Sequence, residues 1–483
     1  LVGWIGSRHV ELVRAALSCG AAWGVAAVAD AAVTRAQDRL APDAVRQAAV
    51  RAVAQGDRKD KRTLLRQLAS DSRAAVRWQA IAELVRLAPA VAAELAAAEL
   101  AKLKDSDDPA PLIGLFRQRP QAIERLAASV AKRKLDPDVA RRAARLAAQE
   151  GPAGQRLRAA LVQAGGLQQH TWKLTPELQR ELVQEVAQHG NAARGERIYH
   201  RAGLQCVQCH AIAGVGGVVG PDLVSIGASA PVDYLIEALL DPNAKIKEGY
   251  HSVTVLDIDG RVHTGIPVKR TERELVLRDA QGKLIRLPIE AIEAEREGRS
   301  LMPEGALNEL TRAELVDLVR FLSELGKPGP YAAPSPAKAR RYAVLQATRE
   351  AVHRLNRTSF DTAASDDPVL TWAPVYAYHS GDLPLEGLPQ LKPHRETPPT
   401  TFLRCELEVA EAGLVPLEWN DTNGIQVWVD GKPTPLEQTR ELELSAGRHR
   451  ITVAIDRSAR KTPLRLQLGK EVGSRARWVL DGS

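Results

Sequence analysis

The sequence predicts a multidomain chain: an all-α region of helical repeats, a small α-helical domain with an inserted β subdomain, and an all-β sandwich. Three observations predict it. The chain has 483 residues, too many for one domain at the usual ~100–200 residues each. Up to residue 165 Ala, Leu and Arg dominate with apolar positions at helical spacing, whereas beyond Val369 apolar runs fall to strand length. Between these regions lies the one close pair of cysteines, Cys206 and Cys209. Hydrophobic residues at 45% and charged residues at 26% are ordinary globular values and exclude wholesale disorder or a collagen-like or coiled-coil rod.

Residues 1–165 read as helices that repeat. Asp43-Ala44-Val45-Arg46-Gln47-Ala48-Ala49 is echoed by Ala75-Val76-Arg77-Trp78-Gln79-Ala80 and by Asp138-Val139-Ala140-Arg141-Arg142-Ala143-Ala144. Val45 to Val76 is 31 residues and Val76 to Ala140 is 64, one and two periods. The pattern resembles short HEAT-type repeats, in which each helix pair buries its apolar face by stacking on its neighbours. An irregular bundle of Ala-rich helices is the alternative. This region holds 27 Lys+Arg against 17 Asp+Glu, and the rest of the chain 39 against 42, so the net charge of +7 originates here. A basic surface can meet nucleic acid, anionic lipid or an acidic protein, but a solvated helix face is the plainer reading. No segment resembles a nucleic-acid-binding motif. Arg8, His9, Glu11 and Arg14 interrupt the apolar opening stretch, and no apolar run reaches the length of a membrane span. The chain opens on Leu1 rather than Met, so we expect sequence upstream of it.

Residues 166–190 are expected to supply a connecting helix, with Thr175-Pro176-Glu177 as its start signal and Gly190 as its stop. Next comes Cys206-Val207-Gln208-Cys209-His210, the spacing of c-type haem attachment. Two thiols one helical turn apart can add to the two vinyl groups of one porphyrin edge, and the adjacent imidazole can reach the iron. A thioredoxin-like redox pair and half of a zinc site use the same Cys spacing. Neither finds its context: no second Cys pair or His-x-x-x-His follows, and no βαβ pattern surrounds the motif.

Low-spin haem iron takes a sixth ligand, Met or His. The chain holds one methionine, Met302, within Ser300-Leu301-Met302-Pro303-Glu304-Gly305. A lone Met is ordinarily core filler, but this one lies downstream of the Cys pair and just before a final helix, where it makes the candidate distal ligand. His200, His251 and His263 are the runners-up. From His210 to Met302 is 92 residues. Within them Ser252–Leu256, Arg261–Val268, Glu274–Arg278 and Lys283–Ile289 read as strands, with turns at Asp259-Gly260 and Gln281-Gly282. Removing residues 250–298, 49 in number, as a β insertion leaves 43.

Residues 191–326 resemble a class I cytochrome c. Gly195-Glu196-Arg197-Ile198-Tyr199 is similar to its N-terminal helix. Leu310 to Leu325, opened by the capping box Thr311-Arg312-Ala313-Glu314 and striped by Leu315, Leu318, Val319 and Leu322, is similar to its C-terminal helix. Gly220-Pro221-Asp222-Leu223 is similar to the loop whose Pro carbonyl, by the resemblance, accepts a hydrogen bond from the proximal His Nδ1. Together with Asp241-Pro242-Asn243, Gly249-Tyr250 and Ser-Leu-Met-Pro-Glu-Gly, these motifs more closely resemble the haem-binding domain of planctomycete and verrucomicrobial type, over about 135 residues. Members often carry HEAT-like repeats before this domain, and some carry a propeller dehydrogenase further upstream. The resemblance implies one covalent haem c anchored by Cys206 and Cys209, ligated by His210 and Met302 and braced by Pro221. Its insertion is expected to be a meander or SH3-like barrel. It also implies maturation outside the cytoplasmic membrane, hence a periplasmic or otherwise extracytoplasmic location and a secretion signal upstream.

Residues 327–360 read as a Pro/Gly/Ala linker followed by a helix from Ala339 to Leu355. Residues 361–483 read as a jelly-roll-like β-sandwich with strands at Leu403–Val409, Leu414–Trp419, Ile425–Val429, Glu441–Leu444, His449–Ile455 and Leu464–Leu468, and turns at Asp430-Gly431 and Ala446-Gly447. Trp419, Asn420, Asp421 and Asn423 could contact carbohydrate, against the plainer reading of a core Trp and turn residues. Cys19 and Cys405 are expected to be separate thiols, with an interdomain disulfide as the alternative. The expected function is single-electron transfer by a monohaem cytochrome that accepts electrons from a dehydrogenase partner. The alternatives are the haem-bearing part of a sugar or alcohol dehydrogenase, and a scaffold subunit in which the haem is a relay.

Overall fold

The computed structural model describes residues 1–7, 9–104, 107–116, 119–147, 151–167, 172–394, 396–469 and 475–480. It is a mixed multidomain chain, helical in its N-terminal part and built from antiparallel sheets towards its C-terminal end. It divides into two compact units, Leu1–Thr171 with Asn308–Thr311, and Trp172–Leu307 with Arg312–Ser483. Residues 168–171 of the expected connecting segment lie outside the described residues. Among the described residues no helix is long and apolar enough to cross a membrane.

In the first unit the helices Asp43–Gln55, Ala74–Leu87 and Pro137–Ala147 start where the sequence echoes start. Each is followed by a second helix, Lys61–Leu68, Pro89–Leu100 and Gly151–Ala164 respectively. Their buried positions are largely Ala, Leu and Val, and one core runs from Ile5 to Ala164. The arginine of each echo is committed to nearby acceptors. Arg46 is fully buried; its Nε and Nη2 donate to the Ala36 carbonyl at 2.9 and 2.8 Å, and Nη2 pairs with Asp71 at 2.6 Å. Arg77 pairs with Glu99 at 2.8 Å and donates to the Asp71 and Ser72 carbonyls. Arg141 pairs with Asp138 at 2.7 Å. Arg46 and Arg77 therefore close free carbonyls at a helix end and in a loop, a task that helix propensity alone leaves undone.

In the second unit, helices Pro176–His189, Ala192–Tyr199, Val232–Leu240 and Arg312–Glu324 flank the cysteine segment. A five-stranded antiparallel sheet interrupts them, in the spatial order Leu284–Pro288, Glu274–Arg278, Val262–Arg270, Val253–Asp257, Ile292–Glu297. Its first and last strands in chain order, Val253–Asp257 and Ile292–Glu297, pair, with Val253 opposite Glu297. The flanking Gly298 N–H donates to the Ser252 carbonyl at 2.8 Å, so the sheet leaves the helical part and returns to it at one point. The last strand, Ile292–Glu297, was not among those expected; its alternating charges leave it almost wholly exposed at the sheet edge, without the apolar face that marks a strand in sequence.

The C-terminal strands form a seven-stranded sheet and a three-stranded sheet. The larger runs Lys432–Thr434, Ile425–Val429, Gly447–Asp456, Thr400–Val409, Arg341–Leu345, Trp372–Tyr376, with Ala476–Trp478 also pairing to Thr400–Val409. The smaller runs Thr439–Leu444, Gly413–Trp419, Leu466–Leu468. Leu403, Leu407 and Val453 of the larger and Val415, Leu417 and Leu466 of the smaller share one core. The expected helix Ala339–Leu355 is corrected: Arg341–Leu345 is a strand and the helix is Arg349–Arg357, N-capped by the Thr348 hydroxyl. Ala, Arg and Leu favour helix, but strand 341–345 is hydrogen-bonded on both sides, and tertiary pairing overrides that weak preference. The sheet region accordingly begins before residue 361. Trp419, 3% exposed, belongs to the core, where no sugar can stack on it. Asn420 accepts from Arg460 and from the Arg465 N–H, Asp421 accepts from the Asn423 N–H, and Gly424 turns with φ +68. Cys19 and Cys405 are both free, the first exposed and the second buried.

His449 ties two turns of the larger sheet. Its Nδ1 lies 2.7 Å from Asp430 Oδ2 and its Nε2 lies 2.8 Å from the Ser445 carbonyl. A carbonyl can only accept, so both ring nitrogens donate and the ring is an imidazolium. Burial opposes that charge, but Asp430 and Ser445 together raise the group above the ordinary histidine range. A raised folded pKa stabilises fully below the unfolded value of about 6.5 and stops stabilising as pH climbs through the folded value. Scanning calorimetry between pH 6 and 9 should show the unfolding of this sheet region falling by a few degrees as pH rises, with a flatter dependence in His449→Gln. An equal slope in both proteins would contradict the assignment.

Candidate functional site

The cysteine segment hangs on a crossing of two helices. Ala192–Tyr199, N-capped by Asn191 Oδ1, crosses Arg312–Glu324 at Gly195. A Cβ on Gly195 would stand 2.0 Å from the Asp317 carbonyl oxygen, so the two backbones touch there. The buried Asp317 carboxylate fastens the crossing, accepting from the Asn191 N–H at 2.7 Å and from Arg194 Nε and Nη2 at 2.6 and 2.9 Å. Tyr199 packs against Phe321 and donates its hydroxyl to the His210 carbonyl at 2.8 Å, fixing the end of the motif to the crossing.

Cys206–Cys209 forms a single helical turn, entered from Gln205 in the left-handed region at φ +58 and closed by the His210 N–H on the Cys206 carbonyl at 2.8 Å. Both cysteines are partly exposed and free. Burial pushes the Cys206 thiol up to about 11 and raises Cys209 as well. A dithiol built for redox exchange has a lowered thiol pKa; these two are held as neutral thiols. Among the described residues no three His, Cys, Asp or Glu side chains gather to hold a metal ion.

Each residue of the loop Gly220-Pro221-Asp222-Leu223 acts on His210 or on the hairpin that follows it. The Pro221 carbonyl lies 3.0 Å from His210 Nδ1. Because that oxygen can only accept, Nδ1 carries the proton and the Nε2 lone pair is left for a metal. Burial lowers the ring below the ordinary histidine range, only partly offset by Pro221, which keeps it neutral. Gly220 lies flat on the imidazole: a Cβ there would come within 2.4 Å of Cε1. The Asp222 carboxylate accepts from the N–H groups of Ala213, Gly214 and Val224, at 3.0, 2.7 and 2.8 Å, and so pins the turn of the hairpin Ala211–Ile212/Val215–Gly216. The Leu223 N–H donates to the Ala211 carbonyl at 2.8 Å.

Met302 sits half-buried on a separate clamp. Asn243 Oδ1 accepts from the Ser300 N–H at 3.0 Å, and its Nδ2 donates to Glu304 Oε1 at 2.7 Å. Ser300 Oγ in turn accepts from the Met302 N–H at 3.2 Å. One amide thus spans the loop on both sides of Met302, joining the two motifs Asp241-Pro242-Asn243 and Ser300-Leu301-Met302-Pro303-Glu304-Gly305.

The other histidines considered as ligands are engaged elsewhere. His251 pairs with Glu297 at 3.1 Å and His263 with Asp257 at 2.8 Å. His200 stacks edge-on between Tyr199 and Tyr378, and burial brings its pKa down to about 4. No protein-family model matches this chain, and no curated protein matches it. Cys206, Cys209, His210 and Pro221 are drawn into one hydrogen-bonded loop, with Met302 held by Asn243. The motifs Asp241-Pro242-Asn243 and Gly220-Pro221-Asp222-Leu223 stand out in the sequence, but the contacts of Asn243 and Asp222 do not, because an Asn or Asp in a loop reads first as a turn residue; Asp317, inside the helix Arg312–Glu324, carries no signal of its role.

Proposed function

We propose that this chain is an extracytoplasmic monohaem c-type cytochrome that passes single electrons, receiving them from a dehydrogenase partner. The observation that carries the reading is the His210 ring, held neutral with Nδ1 committed to Pro221 and Nε2 left as the donor, immediately after two neutral thiols one helical turn apart. The neutral imidazole and the paired thiols support haem as the group: Cys206 and Cys209 would hold it covalently, and His210 Nε2 and Met302 would be its iron ligands. When bound, haem supplies a one-electron iron couple whose potential a Met ligand raises relative to a second His.

The chain's own residues do the positioning. Pro221 fixes the tautomer and orientation of His210 and increases the basicity of Nε2. Gly220 leaves the ring face uncrowded, Asp222 stiffens the hairpin behind it, and Asn243 with Ser300 holds the Met302 loop. The reading extends to the fold. The helix crossing at Gly195 supports a class I cytochrome c domain, the five-stranded sheet that leaves and rejoins it at Ser252 and Gly298 supports a small SH3-like or meander insertion, the helix pairs of residues 1–165 support HEAT-like repeats, and the shared core of the two C-terminal sheets supports a β-sandwich. The repeats and the sandwich would dock redox partners or a larger complex.

The test is the pyridine haemochrome spectrum of the full chain matured in a periplasm, recorded after acid–acetone extraction. Haem should remain with the protein, be lost in the Cys206→Ser/Cys209→Ser double variant, and show a one-vinyl spectrum in either single variant. Extraction of all haem from the parent protein would sink the reading.

A further inference from the structure

A cavity of about 460 Å³ opens beside the hairpin turn at Ala213, between residues 334–340 and the strands carrying Glu408, Arg448 and Arg477. We propose that it binds a small organic molecule bearing an oxyanion: a carboxylate, sulfate or phosphate.

Charge is the first argument. The lining holds Lys338, Arg340, Arg448 and Arg477 against one carboxylate, Glu408. Glu408 is taken by Arg477, whose Nε and Nη2 lie 2.8 and 2.6 Å from Oε2. Arg448 Nη1 stands 3.9 Å from Glu406, beyond hydrogen-bonding distance. Neither Lys338 nor Arg340 has an ion-pair partner among the described residues. Among the described residues Lys338 and Arg340 therefore line one concavity without an ion-pair partner, and Arg448 with only a loose one.

Arg340 is the second argument. It is 6% exposed, yet its only acceptors among the described residues are neutral, the Ile212 and Ala213 carbonyls at 3.0 and 3.3 Å. A buried guanidinium without a counter-charge is costly, and an anion in the cavity would offset that cost. Burial brings the group down to about 10 even though the more distant charges of Asp222 and Glu196 pull it the other way. The planar fork of an arginine suits carboxylate, sulfate and phosphate oxygens alike.

The rest of the lining sets the body of the ligand. Trp478, with its Nε1 already donating to the Ala337 carbonyl at 2.7 Å, together with Pro334 and Pro336 makes an apolar wall. A volume of this size lies in the range of small-molecule sites, about 300–1,000 Å³, and leaves room for a ring beyond the charged group. The cavity involves none of Cys206, Cys209, His210 and Met302, so binding here stands or falls independently of the haem.

Isothermal titration of the full chain at constant ionic strength tests this, with glucuronate, glucose 6-phosphate, inorganic phosphate and neutral glucose as probes. Saturable one-to-one binding of glucuronate or glucose 6-phosphate is expected, at least tenfold tighter than that of glucose, and weakened at least tenfold in Lys338→Gln/Arg448→Gln. Ligand-free hydrogen exchange of peptides covering strands Thr400–Val409 and Gly447–Asp456 should be the same in that double variant and the parent, which separates lost binding from lost folding. Preference between the two sugar probes identifies carboxylate or phosphate as the favoured group. Tighter binding of inorganic phosphate than of either sugar anion would remove the organic body from the proposal and overturn it, as would glucose binding equally well, no saturable binding, or undiminished affinity in the double variant.

Discussion

Gly195→Ala should unfasten the helix crossing that carries the cysteine segment. The new Cβ would lie 2.0 Å from the Asp317 carbonyl oxygen, 2.6 Å from its carbon and 2.7 Å from Phe321 Cβ, so backbone as well as side chain must move. Overpacking in a core commonly costs about 1–3 kcal/mol. Here the obstacle is a main-chain atom inside a helix, and relief requires the two axes to part. Parting them stretches the Asn191–Asp317 and Arg194–Asp317 bonds on one flank and the Tyr199–Phe321 contact on the other. The loss should therefore lie at or above the upper end of that range. Because the chain has several domains, one global midpoint is a poor measure; hydrogen exchange read on peptides covering 192–199 and 312–324 reports the crossing itself. Protection in both should collapse while peptides from strands Thr400–Val409 and Gly447–Asp456 keep theirs. Unchanged exchange at the crossing would mean that the helices do not meet at Gly195.

Met302→Ala should leave haem attached but change its electronic character. The near-infrared sulfur-to-iron band of the oxidised protein should vanish, and the reduction potential should fall by an amount on the order of 0.1 V, within the roughly 0.8 V that axial ligation spans. Asn243→Leu should act in the same direction and more weakly. It removes the amide that holds Ser300 on one side and Glu304 on the other, so the Met302 loop gains freedom without losing its sulfur. The expected signature is a near-infrared band that is weakened at room temperature, recovers on cooling, and is accompanied by a smaller fall in potential. Asn243→Asp keeps the acceptor for the Ser300 N–H and should retain more of the band than Asn243→Leu. A band indifferent to Asn243 would limit that residue to a structural role.

The parts of the fold that could be read beforehand are those where local pattern and tertiary demand agree. Ile425–Val429 and Glu274–Arg278 are strands with buried apolar residues and turns nearby, and their ends coincide with expectation. The helices Asp43–Gln55, Ala74–Leu87 and Pro137–Ala147 announce themselves because apolar residues at helical spacing fill their buried positions. Expectation failed where a neighbour decides. Arg341–Leu345 has helix-favouring residues and becomes a strand because Trp372–Tyr376 and Thr400–Val409 stand on either side. Ile292–Glu297 has no apolar face and is a strand only because Val253–Asp257 supplies its partner.

The site divides in the same way. Cys206, Cys209 and His210 are contiguous, so their spacing carries their chemistry. The contributions of Gly220, Asp222 and Asn243 exist only once distant loops are folded together: a missing Cβ against an imidazole, one carboxylate meeting three N–H groups, one amide bridging two positions of another loop.

The most direct measurement is the mass of the tryptic peptide spanning Cys206 to His210 from the full chain after periplasmic maturation, taken following thiol alkylation. The peptide is predicted to carry one haem joined through both sulfurs, with neither Cys206 nor Cys209 alkylated. A peptide without haem, bearing two alkylated cysteines, would contradict covalent haem attachment and with it the assignment of this chain as a c-type cytochrome.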